Sequence, residues 1–146
     1  MIHILLGALI AVKLENLLLI AALCIIGHFV LDIIPHWDGF FDNKNFILMD
    51  HAALKKKDVF LQAIDVTASA FILIFLTQSL GSVVFIGAFF SLLPDIMKLG
   101  FVTRLRKRSW YMKLLKFHAR IQRETGPILG LISQLVIAVI ILMLLF

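Results

Sequence analysis

Cysteine is almost missing from this chain. Its one copy, Cys24, stands in an apolar run, so no intrachain disulfide can form and no cysteine-ligated metal site is indicated. Charge is scarce too, at 16% of 146 residues. There is no glycine-rich phosphate loop, which argues against a nucleotide-driven enzyme. No serine or cysteine sits in a recognisable nucleophile arrangement. The opening run, MIHILLGALIAV, has no basic residue before it and no small-x-small cleavage site after it. It is therefore expected to stay in the mature chain. At a dozen residues it is too short to cross a bilayer, which takes about 20.

What is abundant is apolar mass. Hydrophobic residues make up 62% of the chain and mean hydropathy is +1.04, against about 45–50% apolar content in a soluble domain. Lipid is the expected solvent. The net charge of +5 and a pI near 9.7 come from basic residues that flank apolar segments. That placement fits anionic headgroups of membrane lipid better than nucleic acid. The expected architecture is one all-α integral membrane domain over residues 1–146. It has about four transmembrane helices, at 16–34, 59–78, 82–97 and 127–146. Pro35 stops the first, Pro94 breaks the third near its end, and Pro127 opens the fourth. The N-terminal dozen lies in the interface, re-enters, or runs on through Lys13 and Glu15 into the first span.

The two long connections are charged. Residues 35–58 hold Lys44, Lys55, Lys56 and Lys57 against four aspartates, and residues 98–126 hold nine Lys or Arg against one Glu. Cations collect in cytoplasmic loops, so both connections are expected on the cytoplasmic side of a bacterial-type inner membrane. Within the second, Trp110, Leu114, Phe117 and Ile121 recur at helical spacing among cations. This predicts a basic amphipathic helix lying in the headgroup layer. His118 and Gln122 share another face at i, i+4.

The stretch GHFVLDIIPHWDGFFDN, residues 27–43, raises the chemical question. Ionisable groups inside an apolar helix cost about 2.5–3.5 kcal/mol each on insertion scales and need partners. His28 and Asp32, four apart on a helix, point the same way. His36 and Asp38 follow Pro35 and can fold back. Asp65 brings a carboxylate from the second span, on a polar stripe with Gln62 and Ser69, and Asp95 brings one from the third. Several carboxylates near two histidines call for positive charge, and a cation supplies it compactly. The expected metal ligands are His28, Asp32, His36, Asp65 and Asp95. Zinc, manganese and iron all accept such a mixed set, with zinc or manganese preferred here. His118 or Asp38 is the expected general acid or base, and Arg104, Arg120 and Arg123 the expected phosphate-holding groups.

The elements GHFVLDIIPHWD and SLLPDIMK, within residues 26–38 and 91–96, resemble those of a family of small bacterial inner-membrane-associated metal-dependent hydrolases. The resemblance carries His28 and Asp32 onto a histidine-three-apolar-aspartate element and Asp95 onto a leucine-leucine-proline-aspartate element, in the reverse order along the chain. It implies a metal site and a hydrolytic activity. The expected function is hydrolysis of a phosphoester of a lipid or lipid-like substrate at the cytoplasmic membrane face. Two alternatives stand beside it: an ion or proton transport component using the intramembrane His and Asp residues, and a non-catalytic membrane adaptor acting through its basic segment.

Overall fold

The computed structural model describes residues 2–37, 56–98, 100, 104–123 and 125–146. Asp38 and most of the first charged connection lie outside them, as does the Gln62 side chain. The described residues form an all-α protein of six helices: α1 (Ile2–Lys13), α2 (Leu17–Ile33), α3 (Lys56–Leu80), α4 (Val83–Lys98), α5 (Ser109–Ile121) and α6 (Pro127–Leu145). A single 3-10 turn, Arg104–Lys107, precedes α5.

The N-terminal run does not join the next helix. Asn16 ends that continuity: its side chain accepts a hydrogen bond from the Leu19 N–H at 3.0 Å and caps a fresh helix. The chain reverses there, and α1 returns alongside α2 as an antiparallel hairpin. Although only about 18 Å long at 1.5 Å per residue, α1 is the central element and touches α2, α3, α4 and α6. Ile2, Leu5 and Ala8 of α1 meet Leu31, Leu76, Val84, Ala138, Ile141 and Leu145 from the other helices in one apolar core. Glycine permits this crowding. A Cβ on Gly7 would collide with the Gly87 backbone and one on Gly87 with the Gly7 backbone, so α1 and α4 approach as closely as two helices can.

The turn between α3 and α4 is made by Gly81, whose φ of 92° suits glycine. Pro94 does not end α4. The helix runs through it to Lys98 with the proline buried. Pro94 has no N–H for the carbonyl one turn back, and neighbouring helices can take up backbone groups loosened in this way. The Ser91 carbonyl in that turn accepts a hydrogen bond from His28.

Among the described residues, two helices are long and apolar enough to cross a membrane, through the windows Ala63–Leu80 and Ile128–Leu145. Only 11% and 22% of those windows is buried inside the molecule, and Ile128, Leu129, Leu135 and Met143 stand well exposed. The amphipathic helix α5 turns Trp110 and Phe117 of its apolar stripe outward and buries a second stripe. Tyr111, Leu115, His118 and Gln122 face inward, while Trp110 and Phe117 are 55% and 51% exposed. The inward stripe carries polar groups that find partners inside, which the purely apolar stripe cannot offer.

Candidate metal centre

Four helices bring polar groups to one end of the bundle: α1 at its start, and α2, α4 and α5 at their ends. The ends are pinned by backbone. Arg123 N–H donates to the Asp32 carbonyl at 2.8 Å, His36 N–H to the Arg123 carbonyl at 3.2 Å, and Thr125 N–H to the His36 carbonyl at 3.0 Å. The start of α6 fits against the same strand-like segment. Gly130 leaves room for Trp37, the Ser133 hydroxyl donates to the Pro35 carbonyl, and the Gln134 amide donates to the Trp37 carbonyl at 3.0 Å. The Tyr111 hydroxyl donates to the Met97 carbonyl at 2.6 Å and ties α5 to the end of α4.

Within this frame His28, Asp32 and His118 are almost fully buried, and their reactive atoms converge. His118 Nε2 lies 2.8 Å from Asp32 Oδ2, and His28 Nε2 lies 3.3 Å from both. Asp95 Oδ1 is 3.8 Å from His28 Nε2 and 3.7 Å from His118 Nε2. His28 Nδ1 is 2.7 Å from the Ser91 carbonyl, an acceptor only, so that nitrogen carries the proton and donates. Its Nε2 therefore presents a bare lone pair to the cluster. A tetrahedron with zinc-like bonds of 2.0–2.1 Å has edges of about 3.3 Å. The separations that link His28 to Asp32, His118 and Asp95, and His118 to the two aspartates, run from 2.8 to 3.8 Å and lie around that edge. Two groups, His3/His28/Asp32 and His28/Asp95/His118, can thus hold a metal ion.

His3 is the member that the sequence reading missed. Its ring stacks on His28 with centroids 4.2 Å apart, and its Nε2 is 3.6 Å from Asp32 Oδ1. Its Nδ1 is buried without a hydrogen-bond partner among the described residues. The capping asparagine at 16 was the available signal, because a reversal there returns residue 3 to the level of residue 32.

The expected site residues divide accordingly. His28, Asp32 and Asp95 come together, and His118, expected as an acid or base, stands among the donors. His36 is buried but belongs to neither donor group. Its Nδ1 donates to the Ile34 carbonyl at 2.8 Å, and its Nε2 is 3.5 Å from the Gln122 amide nitrogen. Asp65 is exposed on α3 and is in neither group, while Ser69 of the same stripe is buried. The side chains of Arg104, Arg120 and Arg123 are exposed. Of the three, Arg123 is fastened to the cluster, through its backbone.

No family model, curated protein or solved structure matches this chain. The reading of the site therefore rests on its own geometry.

Two features set what the cluster can do. The first is enclosure: Asp95, with its side chain 38% exposed, is the open edge, while the side chains of His28, Asp32 and His118 are at most 3% exposed. The second is charge. Lys98 Nζ sits 2.7 Å from Asp95 Oδ1 at that edge.

Proposed function

We propose that this protein is a membrane-embedded, metal-dependent hydrolase acting on a phosphoester of a lipid or lipid-like molecule. The observation that carries the reading is the convergence of buried His and Asp donor atoms in two groups that share His28, His3/His28/Asp32 and His28/Asp95/His118. Two imidazoles and two carboxylates suit zinc better than manganese, which favours octahedral oxygen sets. A divalent cation held there supplies Lewis acidity toward a phosphoryl oxygen.

The chain's own residues do the rest. Ser91 fixes the tautomer of His28, and the Arg123 N–H holds the end of α2 so that Asp32 faces His118. The buried ring of His3 and the half-buried ring of Phe29 pack against His28. Asp95 leaves the site's edge open to a substrate headgroup.

The membrane setting is supported by α3 and α6, whose outward faces are apolar along most of their length. A bilayer covers such faces at no cost, whereas water does not. The cations of α5 and of the turn before it stand at the cluster's end of the bundle, which favours a cytoplasmic site. A transport role draws no support. His3, His28, Asp32, Asp95 and His118 share one end, and Ser133 and Gln134, the polar residues of α6, are bonded to backbone at that same end.

The test is metal analysis by plasma mass spectrometry on detergent-purified protein, followed by phosphate release from phospholipid and isoprenoid-phosphate micelles. About one equivalent of zinc, with release abolished by chelation and restored by zinc, is the expected result. Absence of metal after reloading with zinc and manganese overturns the metal centre. Stoichiometric metal without release from any phosphoester overturns the hydrolase.

A further inference from the structure

The open edge of the cluster carries a charged group that the ligand set does not need. Lys98 extends from the last turn of α4, with its side chain 22% exposed and its Nζ 2.7 Å from Asp95 Oδ1. Its position is not a free surface rotamer. Nζ is also 3.5 Å from the Gln122 carbonyl oxygen. The amide nitrogen of the same Gln122 is 3.5 Å from His36 Nε2, whose ring is oriented by its Nδ1–H on the Ile34 carbonyl. Because Nδ1 carries the hydrogen, Nε2 is an acceptor. The Gln122 amide then faces it with nitrogen and turns oxygen toward Lys98. A chain of buried and half-buried donors and acceptors from Ile34 through His36 and Gln122 thus aims one ammonium at the rim of the cluster.

Charge gives that ammonium a purpose. Metal ligation keeps the imidazoles neutral, so two carboxylates against one ammonium leave the cluster at −1. A divalent cation brings it to +1. Without Lys98 the occupied site would be neutral, with no electrostatic preference for an anion. With it, the open edge at Asp95 presents two positive centres to the same approaching group. The basic residues in the expected phosphate-holding set lack this placement, since Arg104, Arg120 and Arg123 are all exposed.

We infer that Lys98 is the anion-anchoring residue of this site and that the substrate reaches the metal centre as a phosphoryl group, one of whose non-bridging oxygens Lys98 holds. Gln122 and His36 are its positioning residues. The inference rests on the metal reading above and deepens it by naming the recognised group. A charge-assisted hydrogen bond of this kind changes affinity by about tenfold or more when removed.

The experiment uses full-length protein in detergent, loaded with cobalt(II) in place of zinc and titrated with inorganic phosphate. The visible cobalt spectrum reports the ligand set, and its change on titration reports phosphate binding. The parent should show a tetrahedral cobalt spectrum that shifts saturably with phosphate. Lys98→Gln should keep the cobalt spectrum and bind phosphate at least tenfold more weakly, and Lys98→Arg should restore binding to within a few-fold. Equal phosphate affinity in Lys98→Gln with an intact spectrum overturns the anchor. Loss of the cobalt spectrum in Lys98→Gln also overturns it, because the lysine then serves Asp95 rather than the anion. A parent that takes up no cobalt is a separate result, overturning the metal centre itself and this inference with it.

Discussion

His28 and His118, ninety residues apart, meet edge to face with their Nε2 atoms 3.3 Å from one another. Both nitrogens also approach one oxygen of Asp32, at 3.3 and 2.8 Å. The Nδ1 proton of His28 is committed to the Ser91 carbonyl. His28 Nε2 and Asp32 Oδ2 therefore face each other as acceptors in a buried space that His118 Nε2 also enters. Close-set acceptors of this kind are costly unless a positive charge lies among them.

That relationship separates the residues grouped closely enough to hold a metal ion from those that stand outside the groups. His118→Ala should weaken zinc binding by more than about 100-fold, above the 10–100-fold typical of losing a supporting contact. Asp65→Ala should leave it unchanged. Competition with a chromophoric chelator measures both, and equal losses in the two variants would refute the donor set drawn here.

The crossing of α1 and α4 is set by backbone contact between Gly7 and Gly87. Gly87→Ala should separate the helices and destabilise the fold by about 1–3 kcal/mol. A lowered thermal midpoint in detergent, with weaker zinc retention because His3 and Ser91 ride on these helices, is the expected pair of results. An unchanged midpoint would mean that the helices are not so closely apposed.

Tyr111 fastens α5 to the end of α4, and burial pushes its hydroxyl above its ordinary value of 10.0. The unfolded chain gives up that proton first. The residue's contribution is therefore complete below about pH 10 and is lost as pH rises further. Tyr111→Phe should cost about 1 kcal/mol near neutrality and flatten the alkaline decline. Denaturation midpoints measured from pH 7 to 11 would show whether the two curves converge.

The bundle has two ends, and a membrane crossing would put them on opposite sides. In a Cys24→Ser background, cysteines placed at Ser82, beside the Gly81 turn, and at Lys107, before α5, should label from opposite faces of sealed vesicles with an impermeant maleimide. Labelling of both from one face would rule out the spanning arrangement.

Much of the architecture follows from local physics and was legible in the residues themselves. Hydropathy marks the long apolar helices, and proline marks where α2 stops and α6 begins. A spacing of four puts His28 and Asp32 on one face, because helical periodicity needs no knowledge of the rest of the chain. The basic amphipathic character of α5 was equally plain. Its inward face was only partly so: His118 and Gln122 share that face by spacing alone, while the partners waiting at the end of α2 are what bury it.

Asp65 shows the same limit. Its polar stripe does not say which way the helix turns that stripe, so its carboxylate could be assigned to the centre in sequence and stand outside it in the fold. His3 is the converse case, a residue far from the motif in sequence that is returned to it by the reversal at Asn16. Pro94, read as a break, is carried inside α4. The sequence by itself determined which segments are helical and which of them carry ionisable groups, since those depend on periodicity and composition. Only the tertiary structure decided which of those groups meet, because that depends on helix rotation, on the glycine contact that sets the crossing of α1 and α4, and on pairing between segments almost a hundred residues apart.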